Sequence, residues 1–244
     1  MIKREEYLKK IRPFMSKEIV KVLTGIRRCG KSVMLELIKE DLVSQGIKKE
    51  NLFSVNFETG AVSYVKSLEE TYEVVKEFAA KRKEKIYLFF DEIQELPHWE
   101  KLINSIMIDF DADIYITGSN AKMLSGELAT YLGGRYVEFK IYPFSFAEVL
   151  QMLPDKPEAE VFQTYLTKGG MPFLYQFPFD EISSKQYLCD IYDSIVLKDI
   201  VQRNKIRDME QFKRVLLYFI AEIGHTFSAD NIMTVSYTHL RAHE

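Results

Sequence analysis

The sequence GIRRCGKS, residues 25–32, decides the fold of this chain. It fits the pattern G-x-x-x-x-G-K-S/T, and it lies between an apolar strand-like segment, 19–24, and a segment with helical spacing of apolar residues, 32–45. Glycines let backbone N–H groups curve around a phosphate without a Cβ in the way. The start of the following helix adds a partial positive charge. The stretch therefore predicts a phosphate-binding loop.

Several residues of this loop are assigned to a bound nucleotide. We expect Lys31 to reach the β- and γ-phosphates of ATP, and the Ser32 hydroxyl to be a ligand of Mg²⁺. Arg28 either contacts phosphate or is solvated, and Cys29 is interpreted as a tolerated small residue. The full predicted set for the nucleotide is Gly25, Arg28, Cys29, Gly30, Lys31 and Ser32.

A pair of acids follows an apolar segment, 86–90, that has the character of a central parallel strand. Asp91 is predicted to hold Mg²⁺, mostly through water. Glu92 is predicted to orient and deprotonate an attacking water, which favours hydrolysis over transfer of phosphate to a bulky acceptor. The alternative for Glu92 is a surface carboxylate at a strand end.

Two further residues are candidates for catalysis. Ser119 ends the next apolar segment, and a polar side chain there is expected beside Asp91 and the γ-phosphate; Asn120 is the second choice. The alternative is a helix cap or a turn. Arg135 follows two glycines and is a candidate arginine finger, acting in cis or from a neighbouring subunit. A lone surface arginine is the competing interpretation.

Strand-like and helix-like segments alternate along the first half of the chain, which predicts an α/β fold with a parallel sheet. The expected strands are residues 19–24, 51–57, 86–90, 113–117 and 136–141, and the expected helices between them include 32–45, 67–79 and 99–108. After Pro143 the pattern is helical. An amphipathic helix at 208–222, followed by Gly224 and a capping Ser228, is typical of the start of a helix-turn-helix.

Composition excludes several classes of protein. The 244 residues are 47% hydrophobic and 28% charged, with a net charge of −3 and two cysteines, which excludes a disordered chain, a collagen and a disulfide-rich miniprotein. A mildly acidic chain does not indicate nucleic acid binding. No apolar run approaches the roughly 20 residues of a membrane helix, and no signal peptide is evident. We therefore expect a cytoplasmic protein with no membrane partner.

Six motifs in this order give the chain a family resemblance; they are TGIRRCGKS, LFFDEIQEL followed by HWE, YITGSNAKML, GRYVEFKIYPFSFAEVL, YLTKGGMP and IVLKDIV. From about Arg4 to Met233 the chain resembles prokaryotic AAA-type ATP-binding proteins of the archaeal/STAND-like group, which carry a C-terminal domain of unknown function. The resemblance implies a P-loop NTPase core with five parallel strands in the order 5-1-4-3-2 and helices on both faces. It also implies binding of ATP and Mg²⁺ through Lys31, Ser32, Asp91 and Glu92, with slow hydrolysis.

The expected domain division has four parts. Residues 1–143 form the ATPase core, 144–206 a helical lid or linker region, and 207–233 the start of a truncated winged helix. Residues 234–244 resemble a translated sequencing-library adapter and are interpreted as a non-native tail, so the native protein is expected to continue beyond about Met233.

The leading functional hypothesis is an Mg²⁺-dependent ATP hydrolase that acts as a conformational switch. The alternative is a nucleotide-sensing, DNA-binding regulator with a winged-helix output and little hydrolysis. A P-loop kinase would need an arginine-rich lid, and the only candidate segment is 203–207. ATP is the expected partner, a homo-oligomer is left open, and DNA is considered for the full-length protein only.

Overall fold

A computed structural model places five parallel strands side by side in one sheet. It describes residues 2–58, 67–119, 132–176, 180–201, 206–226 and 228–232; Asn120 and the tail 234–244 lie outside these ranges. The strands are β1 (Val20–Gly25), β2 (Leu52–Asn56), β3 (Ile86–Asp91), β4 (Ala112–Ser119) and β5 (Tyr136–Lys140). Their order is β2-β3-β4-β1-β5, with parallel pairing throughout, so the order 5-1-4-3-2 is confirmed.

The two faces of the sheet carry separate apolar cores because successive strand side chains point to opposite faces. The first four helices are α1 (Glu5–Ile11), α2 (Lys31–Ser44), α3 (Leu68–Ala80) and α4 (Trp99–Asp109). On β3, Leu88 and Phe90 pack with residues of α3 and α4, whereas Tyr87 and Phe89 pack with residues of α1 and α2. The prediction of helices on both faces is therefore confirmed. Every residue of β1 and β3 is buried, as expected for central strands.

Local signals set the ends of two helices. The Ser67 hydroxyl accepts a hydrogen bond from the Glu70 backbone N–H at 3.1 Å, which caps α3. Gly46 has φ +96° after α2, and the N–H groups of Gly46 and Ile47 donate to the carbonyls of Val43 and Leu42. This is the Schellman arrangement, in which the residue after the C-cap adopts the left-handed conformation that glycine enters readily.

The helical region begins after Pro143. It contains α5 (Phe146–Met152), α6 (Glu158–Lys168), α7 (Glu181–Ser194) and a π-helical segment, Ile195–Val201. The Phe144 N–H donates to the Gly170 carbonyl at 2.7 Å, and a Cβ on Gly170 would collide with the backbone of Phe144. The glycine pair before Pro172 thus lets this loop pack closely on the segment that leads into α5. Strands, helices α1–α6 and most of α7 belong to one compact unit, Met1–Ile191.

The second compact unit is Tyr192–Glu244. Its helix α8 (Met209–Ala221) begins at Asp208, whose side chain accepts from the Gln211 N–H. Gly224 has φ +90°, and the Ser228 hydroxyl accepts from the Asn231 N–H at 3.2 Å at the start of a short helix, 229–232. The predicted helix, turn and new cap are therefore present, while the winged helix remains a prediction. No helix in the described residues has the length and apolar character needed to cross a bilayer.

Candidate functional site

The phosphate loop connects the end of β1 to the start of α2. Arg28 and Gly30 have φ +62° and +101°, so the backbone turns sharply before the helix begins. A Cβ on Gly25 would collide with the Ile141 carbonyl oxygen and would lie 2.7 Å from the Cys29 sulfur. Cys29, which is part of the loop, is fully buried. The loop therefore has the crowded, curved geometry that can cradle a phosphate.

Lys31 is held at the mouth of this loop. Its side chain is only 4% exposed, and its ammonium donates to the carbonyl oxygens of Gly25 and Ile26, each at 3.3 Å. The same nitrogen lies 3.4 Å from a carboxylate oxygen of Glu92. Ser32 is the second residue of α2 and its side chain is exposed. A buried ammonium in this position is available to an anion that enters the loop.

Asp91 ends β3 between two polar neighbours. The Thr117 hydroxyl donates to one carboxylate oxygen, and the Asn56 amide donates to the other at 3.0 Å. Each carboxylate oxygen can accept more than one interaction, so both retain capacity for a cation or its water. Asp91 is therefore fixed in position by two hydrogen bonds, and its role as a ligand of Mg²⁺ remains a prediction.

Glu92 has both carboxylate oxygens engaged. One oxygen pairs with Lys31, and the other accepts from the Gln94 side-chain amide. Its backbone is left-handed, with φ +50°, and its N–H donates to the Thr117 hydroxyl at 2.9 Å. Thr117 and Gln94 were not singled out by the sequence analysis. Counting the register of β4 against β3 would have found Thr117, because Phe90 pairs with Ile116 and the next pair is Asp91 with Thr117.

Ser119 lies at the root of the phosphate loop. It pairs with Gly25 in the register of β4 and β1, and it is only 2% exposed. Among the described residues its hydroxyl oxygen has no hydrogen-bond partner. Thr117, not Ser119, is the β4 side chain that is hydrogen-bonded to Asp91, and a role of Ser119 at the γ-phosphate remains a prediction. A buried hydroxyl without a partner is suited to a ligand or water that the loop holds.

Arg135 lies at the wrong end of the sheet for a role in cis. Its carbonyl accepts from the Val20 N–H at 3.0 Å, and Tyr136 pairs with Val20 at the start of β1. The phosphate loop follows the opposite end of β1, roughly 17 Å away at 3.3 Å per residue. The exposed Arg135 guanidinium donates to the Asn104 side chain on α4 at 3.1 Å. Arg135 therefore lies away from the phosphate loop of its own chain, and its role as an arginine finger remains a prediction.

A cavity of about 290 Å³ opens beside the phosphate loop. Gly30 and Val33 line it on the side of the loop, and Phe144, Met152 and Pro172 line it on the side of the helical region. Most of this surface is apolar, which suits the planar face of a nucleotide base.

Arg4 also lines this cavity and was not predicted from the sequence. It forms a buried ion pair with Glu148, the third residue of α5, at 2.7 Å. Burial alone would raise the pKa of Glu148, but hydrogen bonds from Arg4 and Ser145 hold that pKa below its usual value. The charged form of the carboxylate is therefore favoured at this junction.

Comparison with known proteins gives a family and a fold. Residues 17–150 match the family described as "AAA domain", and residues 159–242 match the family described as "Domain of unknown function (DUF8612)". The second range includes part of the tail, whose origin remains a prediction. An uncharacterized protein of Haemophilus influenzae is 39% identical over 236 residues, covering 95% of this chain and 58% of the relative.

A second relative and a solved structure extend the comparison. An uncharacterized protein of Methanocaldococcus jannaschii is 32% identical over 206 residues, covering 80% of this chain and 44% of the relative. The chain thus spans about half the length of the curated relatives it matches. The Hsp104-ADP complex of Saccharomyces cerevisiae aligns with a TM-score of 0.54 at 15% identity, over 97% of this chain and 36% of the other. At that identity the likeness shows the fold alone.

Proposed function

The chain belongs to the AAA domain family, and we propose that it binds ATP with Mg²⁺ at the phosphate loop and hydrolyses it. The observation that carries this proposal is the position of Lys31. Its buried ammonium lies between two loop carbonyls and the carboxylate of Glu92, so one cation connects the binding loop with the candidate base. An entering triphosphate would find a positive charge already oriented and largely desolvated.

The residues present fit a nucleotide with its metal ion. The loop backbone offers N–H groups at the start of α2, and Lys31 supplies the charge for the β- and γ-phosphates. Ser32 and Asp91 would hold Mg²⁺, an ion that takes few protein ligands and keeps several waters. Bound there, Mg²⁺ would neutralise charge on the phosphate oxygens. The apolar cavity beside Gly30 and Val33 would receive the base.

Glu92 is the candidate general base. Its side chain follows β3 directly, next to the Asp91 carboxylate that would hold the metal ion. While Glu92 is paired with Lys31 and Gln94, its oxygens are occupied. Attraction of Lys31 to phosphate would release one oxygen for a proton from water. Ser119 would contribute its unpartnered hydroxyl to the phosphate side of the site, and Arg135 would act from a neighbouring subunit.

Nucleotide occupancy would act as a conformational switch. The cavity for the base has walls from both the phosphate loop and the helical region, so a bound nucleotide would contact both. Hydrolysis and release of the nucleotide would remove those shared contacts. The phosphate loop and the helical region could then change their relative position.

Substitution of Lys31 tests the binding proposal. Lys31→Ala removes the ammonium and should weaken the affinity for Mg·ATP at least tenfold, about 1.4 kcal/mol or more. Lys39→Ala is the matched control, because Lys39 lies on the same helix and bonds to Glu36 and Ser54 instead. Isothermal titration calorimetry of both variants measures the difference. An unchanged affinity in Lys31→Ala would remove the phosphate-loop assignment.

A further inference from the structure

Arg4 lies where three segments of the first compact unit meet. Its guanidinium binds Glu148 on α5 through two nitrogens, at 2.7 Å and 3.3 Å. It donates to the carbonyl of Cys29 in the phosphate loop at 3.2 Å and to the carbonyl of Tyr142 after β5 at 2.8 Å. The side chain is 1% exposed. One planar group therefore joins the phosphate loop, the end of the sheet and the first helix of the helical region.

The backbone of Arg4 has an uncommon conformation for an arginine. Its φ of 44° and ψ of 47° are left-handed, a region that glycine and asparagine enter readily and arginine rarely does. Such a conformation persists where the surroundings over-determine it. The guanidinium carbon also lies 4.6 Å from the ring centre of Tyr7 and 5.3 Å from that of Phe144. Two aromatic rings therefore contact the guanidinium in addition to its hydrogen-bond partners.

Glu148 connects Arg4 to the first turn of α5. Its carboxylate accepts from the Ser145 N–H at 2.8 Å, and the Ser145 hydroxyl accepts from the Glu148 N–H at 3.3 Å. This reciprocal cap fixes the first turn of α5, so a carboxylate that binds Arg4 also orients the helix. Met152, at the end of α5, lines the same cavity as Gly30.

We propose that Arg4 is a positioning residue of the nucleotide site, setting the spacing between the phosphate loop and α5 across the base cavity. It acts through the Cys29 carbonyl on one side and Glu148 on the other. The inference rests on the proposed function, since it takes the cavity to hold the base. It follows that the affinity for a ligand that spans the loop and the cavity depends on the Arg4–Glu148 pair. The affinity for a ligand that occupies only the loop depends little on Glu148.

Calorimetry with two ligands tests this. Mg·ATP spans both parts, and magnesium tripolyphosphate occupies the loop alone. Glu148→Gln should weaken Mg·ATP binding about fivefold to tenfold and tripolyphosphate binding less than about twofold. Arg4→Met should weaken Mg·ATP binding at least about tenfold and more than it weakens tripolyphosphate binding. Arg4→Lys should recover part of the loss, because an ammonium can still pair with Glu148.

The matched control is Arg12→Met. Arg12 belongs to the same N-terminal segment and also binds carboxylates, but its side chain donates to Glu5 and Asp41 rather than to the phosphate loop. Its loss should leave the ratio of the two affinities unchanged. Thermal unfolding of each variant reports the general cost to stability.

The possible results separate the two proposals. If the parent protein binds neither ligand, the proposed function fails and the role of Arg4 fails with it. The parent protein has to bind both ligands for the variants to be compared. If Glu148→Gln and Arg4→Met then lower the two affinities by the same factor, or lower them no more than Arg12→Met does, only the role of Arg4 is overturned. If Arg4→Met does not fold, the ratio of the Mg·ATP affinity to the tripolyphosphate affinity in Glu148→Gln decides, because that variant retains Arg4.

Discussion

Replacing Glu92 with glutamine should change binding and turnover in opposite directions. In the structure Glu92 holds the ammonium of Lys31 at 3.4 Å, so an incoming triphosphate must compete for that cation. Glutamine has nearly the same shape, but it carries no charge and accepts no proton. Glu92→Gln should therefore bind Mg·ATP more tightly while hydrolysing it far more slowly.

The size of the effect follows from the distance and the burial of the pair. Two unit charges 3.4 Å apart attract by about 5 kcal/mol at an effective dielectric constant of about 20. That value is a ceiling, because Glu92 is partly exposed and because Lys31 keeps its bonds to two loop carbonyls. We expect about 1 kcal/mol to appear in the affinity, which is roughly fivefold tighter binding. Loss of the base should lower turnover about 10²–10⁴-fold.

Two assays measure these quantities. Calorimetry with Mg·ATP gives the affinity, and release of inorganic phosphate under saturating ATP gives the turnover. Glu95→Gln is the matched control, since Glu95 is an exposed glutamate in the same short segment. Binding that is unchanged or weaker in Glu92→Gln would show that the pair with Lys31 does not compete with phosphate. Turnover at the parent rate would show that Glu92 is only a surface acid.

Two other substitutions have definite expected outcomes. Arg135→Ala should spare ATP binding and lower hydrolysis by up to roughly 10³-fold if the side chain acts from a neighbouring subunit. Mixing it with Lys31→Ala should then restore some phosphate release; no rescue, with an unaltered oligomer, would contradict that role. The pKa of Glu148 is lowered in the folded state, so its contribution to stability is present above its ordinary value of 4.5 and is lost as the pH falls through the folded value. The difference in melting temperature between the parent and Glu148→Gln should accordingly narrow from pH 7 to pH 4, and a constant difference in circular dichroism melts would contradict it.

The core strands and helices α2–α4 follow from local pattern, and they lie within two residues of the predicted ranges, whereas α1 was not predicted. The apolar segment 86–90 becomes β3, Ile86–Asp91, because a continuous apolar run is stable only where both faces are covered. The phosphate loop is equally local, since its glycines, lysine and serine all lie within the eight residues 25–32.

The hydrogen-bond and ion-pair partners of the site residues are harder to predict from the sequence, because they come from distant segments of the chain. Ser119 and Thr117 both stand near the end of β4, and only the register against β3 shows that Thr117 is the one beside Asp91. Arg135 follows the glycine pair that precedes β5, and only the direction of β5 beside β1 places it away from the loop. Arg4 and Glu148 are 144 positions apart, and no spacing rule connects them.

The position of β4 in the sheet explains how the two halves of the site are joined. β4 lies between β1, which carries the phosphate loop, and β3, which carries the acids, so those two strand ends are about 9.6 Å apart at 4.8 Å per strand. Thr117 and Ser119 are two residues apart and therefore share one face of the strand. Thr117 contacts Asp91 and Glu92 on one side, while Ser119 pairs with Gly25 on the other. The end of β4 thus sets the distance between the Asp91–Glu92 pair and the loop, and Lys31 crosses that distance to reach Glu92.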